Sequence, residues 1–290
     1  MDAETRIRAL PIWSGPIAVR PVGGGLSNSN YAVTDAGRTV MVRLGDDLPF
    51  HHVFRDREVA VSRAAHAAGL SPAVVHAEPG VSVFEFLTAR TYTADDVRAN
   101  RGRIVEMVRR LHADVARHLV GPAPFFWVFH VVRDYAATLT AKGSRMADRV
   151  AEFVAIADRL EAMQVPLPLV FGHHDLLPAN IMDDGTRLWL VDWEYGGFGT
   201  PLFDLANLAG NAGFSRDEEL DLLDGYFGRA PEPALVRAFD AMKAASLLRE
   251  AMWSLVSELT LNAPGADYEA YTAANLGRLE EALASLEERP

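Results

Sequence analysis

The sequence predicts an α+β fold in two lobes, a small β-rich N-terminal lobe over residues 1–88 and a larger helical C-terminal lobe over residues 89–290. Three observations predict it. Short apolar runs separated by glycine-rich turns fill the first eighty or so residues. Long stretches of helical period follow from residue 101. A short β-rich insert, residues 168–193, breaks the helices and holds the most unusual polar residues. The chain is 49% apolar over 290 residues, enough for a sizeable core and too much for a disordered chain.

Residues 17–20 read as a first strand, and the run Gly23, Gly24, Gly25, Leu26, Ser27, Asn28 as a turn after it. Residues 31–33 restart an extended run, Asp35, Ala36 and Gly37 supply a hairpin turn, and residues 39–44 return. A helix is expected over 55–68, ended by Gly69 with Pro72 beyond, and another strand over 82–87. The lobes join near residues 85–89. Ile104, Val105, Val108, Leu111, Val115 and Leu119 keep a helical period over 101–119. Further helices are expected over 146–163, 234–262 and 266–287, with Pro264 and Gly265 separating the last two.

The absence of cysteine excludes a disulfide scaffold, a thiolate metal site and a cysteine nucleophile. A net charge of -11 disfavours nucleic acid and anionic lipid as partners and tolerates a cationic small substrate. Lys142 and Lys243 are the only lysines, so a phosphate-gripping cation in the first lobe has to be arginine or histidine. The N-terminus shows no secretory pattern and no apolar run reaches membrane-span length, so a cytoplasmic protein is expected.

The glycine run lies between two strands and has neither the spacing of a dinucleotide fingerprint nor the lysine of a Walker loop. A strand-loop-strand lid over phosphates remains, since glycine lets backbone N–H groups approach oxygens; a plain hairpin turn is the competing reading. Arg43 on the returning strand and Glu58 on the following helix have the arrangement by which a kinase lobe presents a clamped cation to nucleotide phosphates. Taken alone, an unrelated surface pair is the simpler account.

The segment from Val170 to Met182 contains His173, His174, Asp175 and Asn180, and the strand 188–191 ends in Asp192, Trp193, Glu194 and Tyr195. A carboxylate that ends an apolar strand has to be paired or metal-bound. Asp175 and Asn180, five apart in a loop, can set a base over an acceptor hydroxyl while an amide oxygen reaches a metal. Glu194 is placed to share the metal or face the acceptor. The oxygen-rich ligand set suits Mg²⁺ better than zinc, and His173 reads as a brace for the loop.

The run from His173 to Asn180 resembles the catalytic loop of the choline/ethanolamine kinase and aminoglycoside phosphotransferase superfamily: a histidine, an aspartate two later and an asparagine five further. Asp192-Trp193-Glu194-Tyr195-Gly196-Gly197, followed by Phe203-Asp204-Leu205-Ala206, is similar to the choline/ethanolamine kinase branch. The likeness extends to the glycine loop, to Arg43 in the nucleotide-clamping position and to Glu58. It implies a protein-kinase-like fold using ATP and Mg²⁺. Asp175 would be the base or hydroxyl-orienting residue, Asn180 and Asp192 metal ligands with help from Glu194, and the backbone at Glu85, Phe86 and Leu87 the adenine hinge. Asp204 would support the catalytic loop.

The implied acceptor is a small cationic amino alcohol of choline or ethanolamine type. Trp193, Tyr195, Phe198 and Trp253 are candidates for cation–π contact. Choline kinases carry two tryptophans three residues apart on a late helix; the second matches Trp253, and Glu250 replaces the first. That departure favours an ammonium with N–H donors, or another alcohol such as thiamine, an aminoglycoside or an amino sugar; a salt bridge from Glu250 to Arg249 is the structural alternative. A catalytically silent binding protein is the reading from another class. Related kinases are commonly dimers, though no residue here marks an interface.

Overall fold

The structure, a computed structural model, describes residues 2–23, 28–261 and 265–288. Helix α1 (Ala3–Arg8) precedes strands β1 (Ile17–Val22), β2 (Ser29–Asp35) and β3 (Arg38–Leu44). Helix α2 (Arg55–Ala67), β4 (Val74–Glu78) and β5 (Val81–Glu85) follow. The five strands form one antiparallel sheet in the order β1-β2-β3-β5-β4. Ala36 (φ 46) and Gly37 (φ 84) make the two-residue turn between β2 and β3, whose left-handed backbone matches strand twist.

Period-two alternation sorts the sheet faces. Val33, Val40, Val42, Val81 and Val83 point to one side and form a small core with Ile7 and Leu10. Arg43 points the other way, toward α2 and the second half of the chain. Val61, Ala64 and Ala65 of α2 are buried in the larger core, so the same helix that carries Glu58 joins the sheet to the helices. Gly69, at φ 74, ends this helix as its sequence implied.

The second half comprises β6 (Arg90–Thr91), α3 (Ala94–Ala99), α4 (Arg101–Asp114), α5 (Val128–Lys142) and α6 (Val150–Glu161). Then come β7 (Val170–Gly172), β8 (Ile181–Asp183), β9 (Leu188–Leu190) and β10 (Gly197–Gly199). Four helices close the chain: α7 (Pro201–Ala212), α8 (Arg216–Phe227), α9 (Pro233–Thr260) and α10 (Tyr268–Glu288). Small antiparallel sheets, β6-β8-β9 and β7-β10, carry the insert. Helix α9 is the hub: Ala241, Ala244, Ala245 and Ala251 are buried beside Met242, Leu248, Met252 and Leu255, and the small side chains let α5, α7 and α10 pack closely on it.

The mixed α+β fold has the expected β-rich first part and larger helical second part. The helix expected over 101–119 instead leaves α-geometry after Asp114 and finishes as a 3₁₀ turn, Val115–His118. Elements β4, α5, α7 and α8 lie where periodicity gave no assignment. Strand β4 is an irregular edge strand with a register shift between Val74 and His76. Helix α7 is buried on nearly every side and is only twelve residues long, Pro201–Ala212. Helix α5 opens with β-branched and aromatic residues, and α8 carries five acidic residues among its twelve with a narrow apolar face at Leu222 and Leu223. No described helix is long and apolar enough to cross a membrane.

Candidate active site

The insert's first loop is held from beneath by one carboxylate. Asp204, fully buried in the first turn of α7, accepts the backbone N–H of His173 (2.8 Å) and of His174 (2.7 Å), and His112 Nε2 (2.9 Å). Burial alone pushes this carboxyl up, but the His112 hydrogen bond and the surrounding histidines hold it well below the usual carboxylate range. The ion so fixed pins His174 at φ 62, a left-handed conformation that costs a non-glycine residue about 1–3 kcal/mol. The His174 ring stacks on Phe126 (centroids 4.4 Å apart) and donates Nδ1–H to the Tyr195 carbonyl (3.1 Å); burial lowers its pKa to about 4, so it is neutral. A Cβ on Gly172 or Gly199 would come within 2.7 Å of its Nε2, so both positions need glycine. His173 is likewise buried and donates Nε2–H to the Val191 carbonyl (3.0 Å), tying the loop to the strand end beside Asp192. Both histidines brace the loop.

Asp175 and Asn180 meet as their spacing suggested. Asn180, in the 3₁₀ turn Pro178–Asn180, donates Nδ2 to the Asp175 backbone carbonyl (2.9 Å) and to its Oδ2 (3.2 Å). The amide oxygen on the same carbon therefore points away from Asp175. Burial raises the Asp175 carboxyl well above its ordinary value, Glu250 adds to this, and Arg249 opposes it. Asp192, at φ 68, is like His174 a non-glycine residue in the left-handed region, and its Oδ1 accepts from Arg43 Nη1 at 2.8 Å.

Arg43 also bonds Glu58 closely, as the sequence suggested. Burial works against the Arg43 charge, but Asp192 and Glu58 outweigh it. The pair is part of a longer chain. Glu58, 1% exposed, also accepts from Arg55 Nη1 (2.7 Å), and the same nitrogen donates to Glu194 Oε2 (2.9 Å). Asp192, Arg43, Glu58, Arg55 and Glu194 thus alternate in charge across the junction between sheet and insert. Glu194 is pushed up to about 7, by burial first and then by Asp192, with Arg55 opposing. Sequence reasoning missed Arg55; its signal was an arginine three residues before Glu58 on one helix.

A cavity of about 450 Å³ opens between sheet and insert. Arg43, Glu58, Asn180 and Asp192 line it, and the strand end Glu85, Phe86 and Leu87 forms another wall. Gly23 stands at its rim; Gly24, Gly25, Leu26 and Ser27 lie outside the described residues, and Asn28 is half-buried just before β2. Among the described residues no group of three or more histidine or carboxylate side chains converges as a metal site. Asn180 and Asp192 instead offer hard oxygens on the cavity wall, which suits Mg²⁺, an ion that takes few protein ligands and completes its shell with phosphate and water.

The acceptor candidates form a second cluster around α9. Trp253 Nε1 donates to the Tyr195 hydroxyl (3.1 Å), and its ring lies 6.2 Å from both Tyr268 and Tyr271 of α10. Those two tyrosines were missed; their spacing of three on a helix was the available signal. Glu250 accepts the Tyr271 hydroxyl (2.9 Å) and pairs closely with Arg249, so the anticipated salt bridge is present. The Arg249 guanidinium stands 4.4 Å over the Tyr195 ring. Trp193 and Phe198 pack elsewhere: Trp193 is 1% exposed against His173 and bonds Ser71, and Phe198 packs edge-on against Phe171.

The profile of the phosphotransferase enzyme family, APH, matches residues 18–244. The protein LicA of Haemophilus influenzae is 26% identical over 280 residues, covering 92% of this chain and 79% of that protein. A probable ethanolamine kinase of Arabidopsis thaliana is 26% identical over 278 residues, covering 82% of this chain and 72% of that protein. The crystal structure of a choline/ethanolamine kinase family protein from Mesorhizobium loti superposes with a TM-score of 0.75 at 28% identity, covering 97% of this chain and 93% of the other. The chain belongs to the APH phosphotransferase enzyme family, in its choline/ethanolamine kinase branch.

Proposed function

We propose that this protein transfers the γ-phosphoryl group of ATP, with Mg²⁺, to the hydroxyl of a small amino alcohol of choline or ethanolamine type. The observation that carries the reading is the convergence of Asn180, Asp192, Arg43 and Glu58 on one cavity, with Asp175 hydrogen-bonded to Asn180 of that wall. Residues 1–88 would clamp the nucleotide, with Arg43 on its phosphates and the backbone at Glu85, Phe86 and Leu87 on adenine. The Asn180 amide oxygen and the Asp192 carboxylate would hold Mg²⁺, which when bound neutralises phosphate charge. Asp175 takes the acceptor's proton as the acceptor oxygen bonds to the γ-phosphorus and the bond from that phosphorus to the β–γ bridging oxygen breaks, releasing ADP. Its raised carboxyl makes it a stronger base than an exposed aspartate.

Glu194 fits a supporting part, held through Arg55, and His173 a bracing one. The aromatic side chains of Trp253, Tyr195, Tyr268 and Tyr271 beside the Glu250 carboxylate support an ammonium-bearing acceptor. An ADP-release screen with choline, ethanolamine, thiamine and amino sugars tests the assignment. Turnover of choline or ethanolamine supports it; a clear preference for thiamine or an amino sugar overturns the acceptor while leaving the kinase reading in place.

A further inference from the structure

Arg249 is 2% exposed, yet its Nε and Nη2 have no hydrogen-bond partner. Its Nη1 is committed to Glu250, and the face of the guanidinium is covered by the Tyr195 ring at 4.4 Å. Packing therefore accounts for one corner and one face of the group but not for its side edge. On that edge Nε–H and one Nη2–H run parallel, the fork that matches two oxygens of a carboxylate or phosphate. Leaving such donors unmade inside a protein is costly, and a buried cation with an open edge calls for a partner.

The location says what kind. Arg249 sits on α9 next to Glu250 and one turn before Trp253, within the acceptor cluster. It acts electrostatically on Asp175, drawing that carboxyl down where Glu250 pushes it up. The loop from His173 to Asn180 supplies no cation of its own: Leu176 and Leu177 follow Asp175, and both histidines are buried on backbone carbonyls. Arg43 and Arg55 are spread over Glu58, Asp192 and Glu194.

We propose that Arg249 is a substrate-recognition residue whose Nε–Nη2 edge binds a two-oxygen anionic group at the acceptor end of the site. Two sources carry that chemistry: the phosphoryl group once it is on the acceptor oxygen, or a carboxylate on the acceptor itself. The inference rests on the phosphoryl-transfer reading.

The test pairs binding with turnover. Phosphoethanolamine and L-serine are titrated calorimetrically into the wild type, Arg249→Met and Arg249→Lys, and ethanolamine and L-serine are compared as acceptors. ATP affinity, read in the same samples, reports that each variant is folded. Lysine keeps the charge but lacks the side fork, so it serves if the methionine variant is unstable. If the phosphoryl group is the partner, Arg249→Met weakens phosphoethanolamine binding by about tenfold or more and lowers kcat about 100-fold for both acceptors. If a carboxylate is the partner, the loss is confined to L-serine, which the wild type then prefers over ethanolamine. Phosphoethanolamine and L-serine affinities in both variants equal to wild type overturn the proposal. A wild type that transfers phosphate to no acceptor defeats the function reading instead, and the phosphoethanolamine titration still decides Arg249.

Discussion

Replacing Asp204 with asparagine, nearly isosteric, isolates the charge that holds the loop carrying Asp175. Oδ2 of Asp204 carries two hydrogen bonds, from His173 N and His112 Nε2, and Oδ1 carries one, from His174 N. An amide must turn its NH₂ toward one of these sets. The cheaper choice loses the His174 bond outright, about 1.5–3 kcal/mol for a bond to a charged acceptor. The other two become neutral bonds and weaken by roughly 0.5–1 kcal/mol each, giving a total of about 2.5–5 kcal/mol. The lost bond is the one that pins His174 at φ 62, so the residue beside Asp175 relaxes. A displacement near 1 Å costs about 100-fold in kcat, while the KM for ATP should hardly move because Arg43 and Glu58 are untouched. Urea unfolding and steady-state kinetics on the same preparations measure both. A stability loss below about 1 kcal/mol with kcat within about threefold of wild type would refute the reasoning.

Two further predictions follow from the charged and buried groups. Arg55→Met leaves Glu58 and Glu194 buried without their shared cation, so the KM for ATP and the Mg²⁺ concentration needed for half-maximal rate should both rise, by about tenfold, with Arg55→Lys partly restoring them; unchanged nucleotide and Mg²⁺ dependence would contradict the coupling. His51 is buried between Tyr135 and Ser257, and burial depresses its pKa to about 3, so the folded state keeps it neutral. Below its unfolded pKa of about 6.5 the unfolded chain binds a proton that the folded chain does not, and His51's contribution is lost as pH falls. The stability difference between wild type and His51→Asn should therefore shift against the wild type by about 2 kcal/mol from about pH 7.5 to about pH 5. Urea midpoints at both pH values measure it, and a constant difference would contradict the assignment.

Legibility in the sequence followed contact order. Asp175 and Asn180 lie in one short loop and Asp192 at the end of the next hairpin, so local spacing was enough to mark them. Arg43 and Glu58, fifteen positions apart on a strand and the next helix, stood out only through the family resemblance, because their spacing alone is equally that of an unrelated surface pair. Arg55 was invisible as a site residue because its second partner, Glu194, is 139 positions away. Tyr271 and Glu250 meet from successive helices, 21 positions apart, and Arg249 reads in sequence as one more helical arginine until burial shows its open edge. Trp193 misled for the converse reason. A tryptophan beside a catalytic carboxylate suggests a substrate face, yet it fills the core under His173.

The most direct test of the account is ATP-dependent phosphate transfer to choline and ethanolamine by wild type and Asp175→Asn, followed by ADP release and by detection of the phosphate ester. The account predicts Mg²⁺-dependent ester formed in step with ADP by the wild type, and a kcat lower by about 1,000-fold or more in the variant with ATP affinity retained. Equal, background-level ADP release from both proteins with no ester formed would contradict it.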